Sequence, residues 1–463
     1  MFLLLLLLTT VGVSWPGYAQ ETPEPEPQTL VLWSVHFLPA MVERQRALIA
    51  QFEAANPHIE VRFVVMDETF MDQLMQLNAR TGTLPDVVLH PLHLTYEWYD
   101  QVLLDTQRTT SLIESLGAET FSPSVLSAMR TDNGQYRAIP SDGWAYLLLY
   151  RTDLFAENDL AVPDSFDAIL DAAAALHDPE NGFYGFCGPN TTQETYTTHV
   201  VEHFALSNGA RLLDESNNLA LNSPAFAEAI DFYATLLQAS GPPERNWGAN
   251  ETRSAYLAGN CGMTIWSPLI LDELAGLWET FAPTCEQCVE EPDYLARNTG
   301  VVTQIQNAED QVPPPLSRAA IMSLGVLLGA SPAVETFVAY YYNESYIDWL
   351  SLAPETKLPL RSGTPDQPNA FLEGWRALQV GIDQRMRLSD IYGDELMVQI
   401  EQATAQYGRF VGRSAYPRVP AILETDPFVW GELFPALQGR VSAEHAALRI
   451  NITTSVKANE DAE

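Results

Sequence analysis

The chain has 463 residues, is 46% hydrophobic and 18% charged, and carries 60 acidic against 24 basic side chains, a net charge of −36. That length can bury two or three cores, and the composition is that of a globular protein. The acidic balance excludes nucleic acid and anionic membrane surfaces as partners, because both require a basic footprint.

Residues 1–19 read as a signal peptide, with an apolar run over 2–8 and small residues at Gly17-Tyr18-Ala19. The run is too short to span a bilayer, and no Cys stands at the cleavage point, so the expectation is an exported protein without direct membrane insertion or a lipid anchor. Residues 20–28 form a Pro- and Glu-rich linker with nothing to bury. A strand is expected over 29–33. The helix that follows places Met41, Leu48, Ile49 and Phe52 at helical spacing, and a second strand begins at Ile59. This β-α-β order implies a right-handed crossover onto a parallel strand. A helix over 69–79 and a buried strand over 84–89 come next. Open α/β sheets bind ligands beyond the carboxyl ends of their strands. That rule marks His36 and His90 as hydrogen-bonding groups for a hydroxylated ligand. With His93 they also suggest a metal, which requires all three within about 2 Å of one ion.

The most informative stretch is 134–155, GQYRAIPSDGWAYLLLYRTDLF. It opens on the turn signal Asp132-Asn133-Gly134, extends to Pro140, exposes Ser141-Asp142-Gly143-Trp144 and enters an apolar strand over 145–150. Such a segment can leave one lobe and bury itself in another, presenting Asp142 and Trp144 between them. Further on, a helix starts at Pro163 and Ser165, and a strand over 182–186 runs into a polar loop that holds Asn190 and Gln193. Helices follow over 197–206 and 224–238, and a strand exits through Trp266-Ser267-Pro268, where Trp266 is expected on a cleft. Helices over 370–387 and 396–407 and a disordered tail over 451–463 complete the pattern. Four cysteines in an exported chain point to disulfides. Cys285 and Cys288 are expected to bridge within a loop, and a Cys187–Cys261 pair is left open. The Cys-x-x-Cys spacing also admits zinc, without the flanking pattern of a zinc ribbon.

The order Gly134-x-Tyr136-x-x-x-Pro140, then Leu148-x-Tyr150 and Asp153-Leu154-Phe155, resembles the first crossover of extracellular solute-binding proteins of ABC importers, maltose and multiple-sugar type. Phe52-Glu53 with Pro57-x-Ile59-x-Val61, Pro85-Asp86, the run from Thr252 to Pro268, residues 320–332 and 354–361, and Leu437-x-Gly439-x-x-Ser442-x-Glu444 are similar to later landmarks in the same order. The resemblance implies an α/β, two-lobed periplasmic-binding-protein fold of type II-like topology, with three interlobe crossovers and the ligand in the cleft. Lobe I would comprise 29–139 and 324–356, lobe II 145–318 and 362–450, and the hinges 140–144, 319–323 and 357–361.

The ligand set then expected is Asp142, Trp144, Trp266, His90, His36, Asn190 and Gln193, with Met322 and Ser323 at the second crossover and Tyr416 on a turn that the family places near the ligand. The implied function is capture of a carbohydrate by hinge closure and delivery to permease subunits in the membrane. A periplasmic monomer without catalysis, cofactor or metal is expected. Two alternatives remain. A glycerol phosphate or other polyol would want several Arg or Lys, of which Arg418 is the plausible one. A secreted glycoside hydrolase would need two carboxylates about 5 to 10 Å apart across a cleft.

Overall fold

Strands form where apolar and β-branched residues run together, and their order decides which lobe each joins. The computed structural model describes residues 26–36, 38–191, 194–242, 246–307, 311–410, 416 and 418–460. The expected signal peptide and Gln193 lie outside the described residues. The larger sheet contains β1 (Gln28–Ser34), β2 (Ile59–Val65), β3 (Val87–Pro91), β4 (Ile139–Ala145), β9 (Ser317–Val326) and β10 (Leu358–Pro359), in the order β10-β4-β9-β3-β1-β2. The smaller sheet contains β5 (Leu147–Arg151), β6 (Tyr184–Cys187), β7 (Cys261–Trp266) and β8 (Thr299–Val302), in the order β6-β7-β5-β8. Beyond these, β11 (Gln379–Val380) and β12 (Met386–Arg387) make a hairpin, and β13 (Tyr407–Gly408) pairs with the start of β9.

In the first lobe, β1 runs parallel to both β2 and β3, as the β-α-β reading requires. The intervening helix Pro39–Ala55 buries Leu48, Ile49 and Phe52 against the sheet. Its successor Glu68–Thr81 starts where the Asp67 carboxylate accepts from the Thr69 N–H and stops at Gly82, whose φ of 68° suits glycine. In the second lobe, helices Tyr196–Ser207 and Pro224–Ser240 are buried along most of their length.

The chain passes from β4 to β5 across Tyr146 alone, just beyond the expected hinge at 140–144. The return lies between Val302 and Ser317, because residues 319–323 are interior to β9. At the third crossover, β10 stays in the larger sheet, and Arg361 is buried in the same lobe, donating to Thr120 Oγ1 and the Tyr342 carbonyl. Two further expectations are corrected. Residues 370–387 form only the short helix Ala370–Arg376 followed by the β11–β12 hairpin, since Gly381 at φ 98° turns the chain back. Residues expected in a disordered tail continue the helix Ala443–Glu460, anchored by buried Ala446, Ala447 and Ile450. Both disulfides are formed, Cys187–Cys261 and Cys285–Cys288. Among the described residues no helix is long and apolar enough to cross a membrane.

Candidate functional site

The crossover at Tyr146 organises a row of aromatic rings. Residues 144 and 146 point to the same side of an extended chain, so Trp144, still in the larger sheet, meets Tyr146 edge-on at 5.2 Å. Tyr146 lies 6.0 Å from Tyr196, and Tyr196 meets Trp266 at the exit of β7 at 4.9 Å. Four rings thus run from the first lobe's sheet to the second lobe's, with half-buried Trp144 the most open of them.

A charged cluster lies beside this row. Helix Tyr196–Ser207 carries His199, Glu202 and His203 on one face, at the i, i+3, i+4 spacing that makes helical neighbours. Arg318, at the start of β9, donates Nε to Glu202 Oε2 at 3.0 Å and Nη2 to Glu424 Oε2 at 3.4 Å. Arg409, just after β13, donates Nε to Glu202 Oε1 at 3.1 Å and Nη2 to Glu424 Oε2 at 2.7 Å. Glu424 stands on helix Val419–Thr425, which packs against helix Leu92–Asp100 of the first lobe. Burial would raise both glutamates, but Arg409 and Arg318 hold Glu202 below the usual carboxylate range, and Arg409, His199 and Arg318 hold Glu424 well below it. His199 Nε2 lies 2.9 Å from Glu424 Oε1 and its Nδ1 3.3 Å from the Tyr146 hydroxyl. An ionised carboxylate can only accept, so Nε2 carries the proton and the tyrosine donates to Nδ1. Burial lowers all three nearby histidines, His93 to about 4 and His203 to about 3, with Arg318 adding to the effect on each. Two cations and two anions therefore meet neutral imidazoles, and the cluster is rich in both donors and acceptors yet carries no net charge.

The residues expected from sequence divide sharply. Trp144 and Trp266 join one row. Asp142 is buried with both oxygens occupied: Oδ1 accepts from Lys357 Nζ at 3.0 Å and Oδ2 from Ser141 Oγ at 2.7 Å. A bulge in β4 between Pro140 and Gly143 re-aims this segment. His36, half-buried beyond β1, lies 2.9 Å from the same Lys357 Nζ. His90 is not at a cleft: it is fully buried, with Nδ1 3.0 Å from the Val88 carbonyl and Nε2 2.9 Å from Thr95 Oγ1, against the Trp98 ring. Ser323 is likewise buried, facing Met129, while Met322 is half-buried against the core that contains Trp33 and Trp98. Asn190 exchanges hydrogen bonds with the Trp247 backbone, bridging two loops of the second lobe. Tyr416 packs partly buried against the main core. The three-histidine metal reading gains nothing, since among the described residues no group of His, Cys, Asp and Glu is arranged to hold a metal ion.

Sequence reasoning missed Tyr146, His199, Arg318, Lys357, Arg409 and Glu424. The signal available was His199-Val-Val-Glu202-His203, three polar residues on one face of an otherwise apolar helix. The two arginines and Glu424 had none, because they arrive from segments remote in sequence.

A second buried acidic group borders the lobes. Asp272 and Glu273 follow β7, and Glu355 precedes β10. Burial raises Asp272 to about 6, and Glu273 and Glu355 to about 7, with Asp272 adding repulsion to each of the other two and Arg253 opposing at Glu273. A carboxyl whose folded pKa is raised stabilises the fold below its unfolded value near 4 and loses that contribution as pH rises through 6 to 7. Glu355→Gln is therefore expected to flatten the decline in stability between pH 5 and 8, by on the order of 2–3 kcal/mol. Urea denaturation across that range checks it.

Residues 40–280 match the sequence profile of bacterial extracellular solute-binding proteins. YcjN of Escherichia coli K12, named for an ABC transporter periplasmic-binding role, is 26% identical over 337 residues, 71% of this chain and 73% of its own length. A mannitol-binding protein of Pseudomonas aeruginosa is 27% identical over 233 residues, 49% of this chain and 51% of its own. Among solved structures, the cyclic α-maltosyl-1,6-maltose-binding protein of Arthrobacter globiformis superposes with a TM-score of 0.68 at 16% identity, over 94% of this chain and 100% of that one. A solute-binding protein of Agrobacterium vitis S4 with bound D-mannitol gives 0.60 at 20% identity, over 94% and 99%. These likenesses show a two-lobed solute-binding fold.

Proposed function

The chain belongs to the bacterial extracellular solute-binding protein family, and from that premise we propose that it captures a neutral carbohydrate or polyol between its lobes and delivers it to the permease of an ABC importer. The observation that carries this reading is the aromatic row from Trp144 to Trp266 beside a charge-balanced cluster. Sugars and polyols present apolar faces and rings of hydroxyls, so they need aromatic planes together with converging donors and acceptors. Asp142 becomes a support for neighbouring groups, and Trp144, Tyr146, His199, Arg409 and Glu424 become the contacts. Hinges of a few residues let the lobes close, and a ligand shifts that equilibrium only by its preference for the closed form. The protein acts as an exported monomer, its signal peptide removed near Ala19.

A phosphorylated ligand is disfavoured because Arg318 and Arg409 are each already paired with both Glu202 and Glu424. Within the charged cluster a glycosidase finds no general acid of raised pKa beside a second carboxylate, because Glu202 and Glu424 are both held ionised. The deciding experiment is thermal unfolding of the mature protein against sugars, polyols and glycerol phosphates. A ligand at a hundred times its dissociation constant adds about 2.7 kcal/mol. Trp144→Ala is expected to weaken binding by about 2 kcal/mol, roughly 30-fold. Stabilisation by phosphorylated ligands alone, or hydrolysis of the added sugar, would sink the proposal.

A further inference from the structure

Lys357 is a buried lysine immediately before β10. Its ammonium lies 3.0 Å from Asp142 Oδ1 and 2.9 Å from His36 Nε2. The surroundings fix its charge. Asp142 is buried and also accepts from Ser141, whose hydroxyl in turn meets the Tyr341 hydroxyl at 2.7 Å. Glu355, two residues earlier on the same segment, is raised to about 7 by burial and gains charge only towards the upper end of the neutral range, while Tyr341, Tyr342 and Tyr346 are the titratable groups that face Asp142 from the neighbouring helix region. A lysine so placed is an ammonium, and an ammonium has three donors and no acceptor. The imidazole nitrogen facing it must therefore accept.

We propose that Lys357 locks His36 in one neutral tautomer, with the proton on Nδ1, so that His36 offers the cleft a fixed hydrogen-bond donor that is neither a cation nor an acceptor. The geometry is the argument: Nε2 is committed to Lys357, and Nδ1 makes no hydrogen bond to any described residue, on a side chain left half-open at the carboxyl end of β1. Burial, then the neighbouring Lys357 charge, hold the imidazole well below its ordinary pKa, in keeping with a ring that stays neutral. Asp142 acts through Lys357 as a second positioning residue, and the β4 bulge is what aims it there. The ligand must then place an acceptor, a hydroxyl or ring oxygen, opposite Nδ1. This specificity rests on the carbohydrate reading of the site.

The test separates the two. Long-range proton–nitrogen NMR of the ligand-free wild-type protein, between pH 5 and 8, is expected to show His36 as a single Nδ1–H tautomer that does not titrate. A protonated Nε2, a mixture of tautomers, or a midpoint near the ordinary 6.5 would overturn the lock. Lys357→Met should release the ring, giving mixed tautomers and a midpoint that moves upward from the wild type's. If the lone Asp142 carboxylate prevents folding, the double variant Asp142→Asn with Lys357→Met serves instead, and an unchanged spectrum in either overturns the proposal. Calorimetry with D-mannitol and maltose as probes reads the second half. His36→Ala should weaken binding about 3- to 10-fold, and His36→Asn, whose amide mimics the Nδ1 donor, should restore most of it. Equal affinity in all three overturns the ligand contact. Silence from both probes and from the full panel counts against the carbohydrate reading, while the spectrum still decides the tautomer.

Discussion

Glu202→Ala is expected to lower stability by about 3–5 kcal/mol at pH 7, the largest effect of any single substitution near the cleft. The Glu202 carboxylate accepts from Arg318 Nε, Arg409 Nε and the Phe410 N–H, and it is only 6% exposed. Truncation leaves two guanidinium groups and a backbone donor buried beside a void, and the remaining Glu424 cannot balance both charges. Breaking one member of a buried ion network costs more than the network contributes, because the orphaned charges keep their desolvation penalty. The pH dependence follows in sign. Glu202 and Glu424 are depressed in the folded state. Their contribution is therefore complete above the unfolded value near 4.3 and disappears as pH falls through the folded values. Urea denaturation of wild type and variant at pH 7 and pH 4 measures both. A loss below about 1 kcal/mol at pH 7 would mean that other contacts hold the arginines.

Removing the Cys187–Cys261 bridge by a double alanine replacement is expected to cost about 4 kcal/mol, and removing Cys285–Cys288 less than about 2 kcal/mol. The bridges close loops of very different length, with sequence separations of 74 and 3. Loop-closure entropy grows with the logarithm of that length. The longer bridge also ties β6 to β7, the strand that ends at Trp266, so its loss should loosen one end of the aromatic row. Denaturation of the two double variants under identical conditions gives the ranking directly. Equal costs would contradict the entropic account and point to packing at the buried sulfurs as the source of stability.

Much of the fold was legible locally. The apolar run of β1, the 3.6-residue apolar spacing in Pro39–Ala55, and the turn signal ahead of β4 each follow from short-range sterics and burial. Trp144 and Trp266 could be nominated for the same reason: each stands at a strand end, where an aromatic side chain has space to project. The limits of that reading show at Asp142. Its neighbours Pro140 and Trp144 mark it as a prominent polar residue between two lobes, but only the β4 bulge and Lys357, 215 residues away, decide that it supports another side chain. His90 fails for a related cause. The strand-end rule gives the position but not the depth, and Val88, Thr95 and Trp98 close over the ring.

By itself, then, the sequence determined the local strands and helices and carried the resemblance that implies a two-lobed fold with a first crossing at residues 140–144, because backbone preference and apolar periodicity act over a few residues. The tertiary structure alone decided how the charges are balanced. Glu202, Arg318, Arg409 and Glu424 come from segments as far as 222 residues apart in the numbering of this chain. Buried charges interact through space and only in the folded geometry, so their pairing, their protonation and the neutrality of the cluster had no local signature to read.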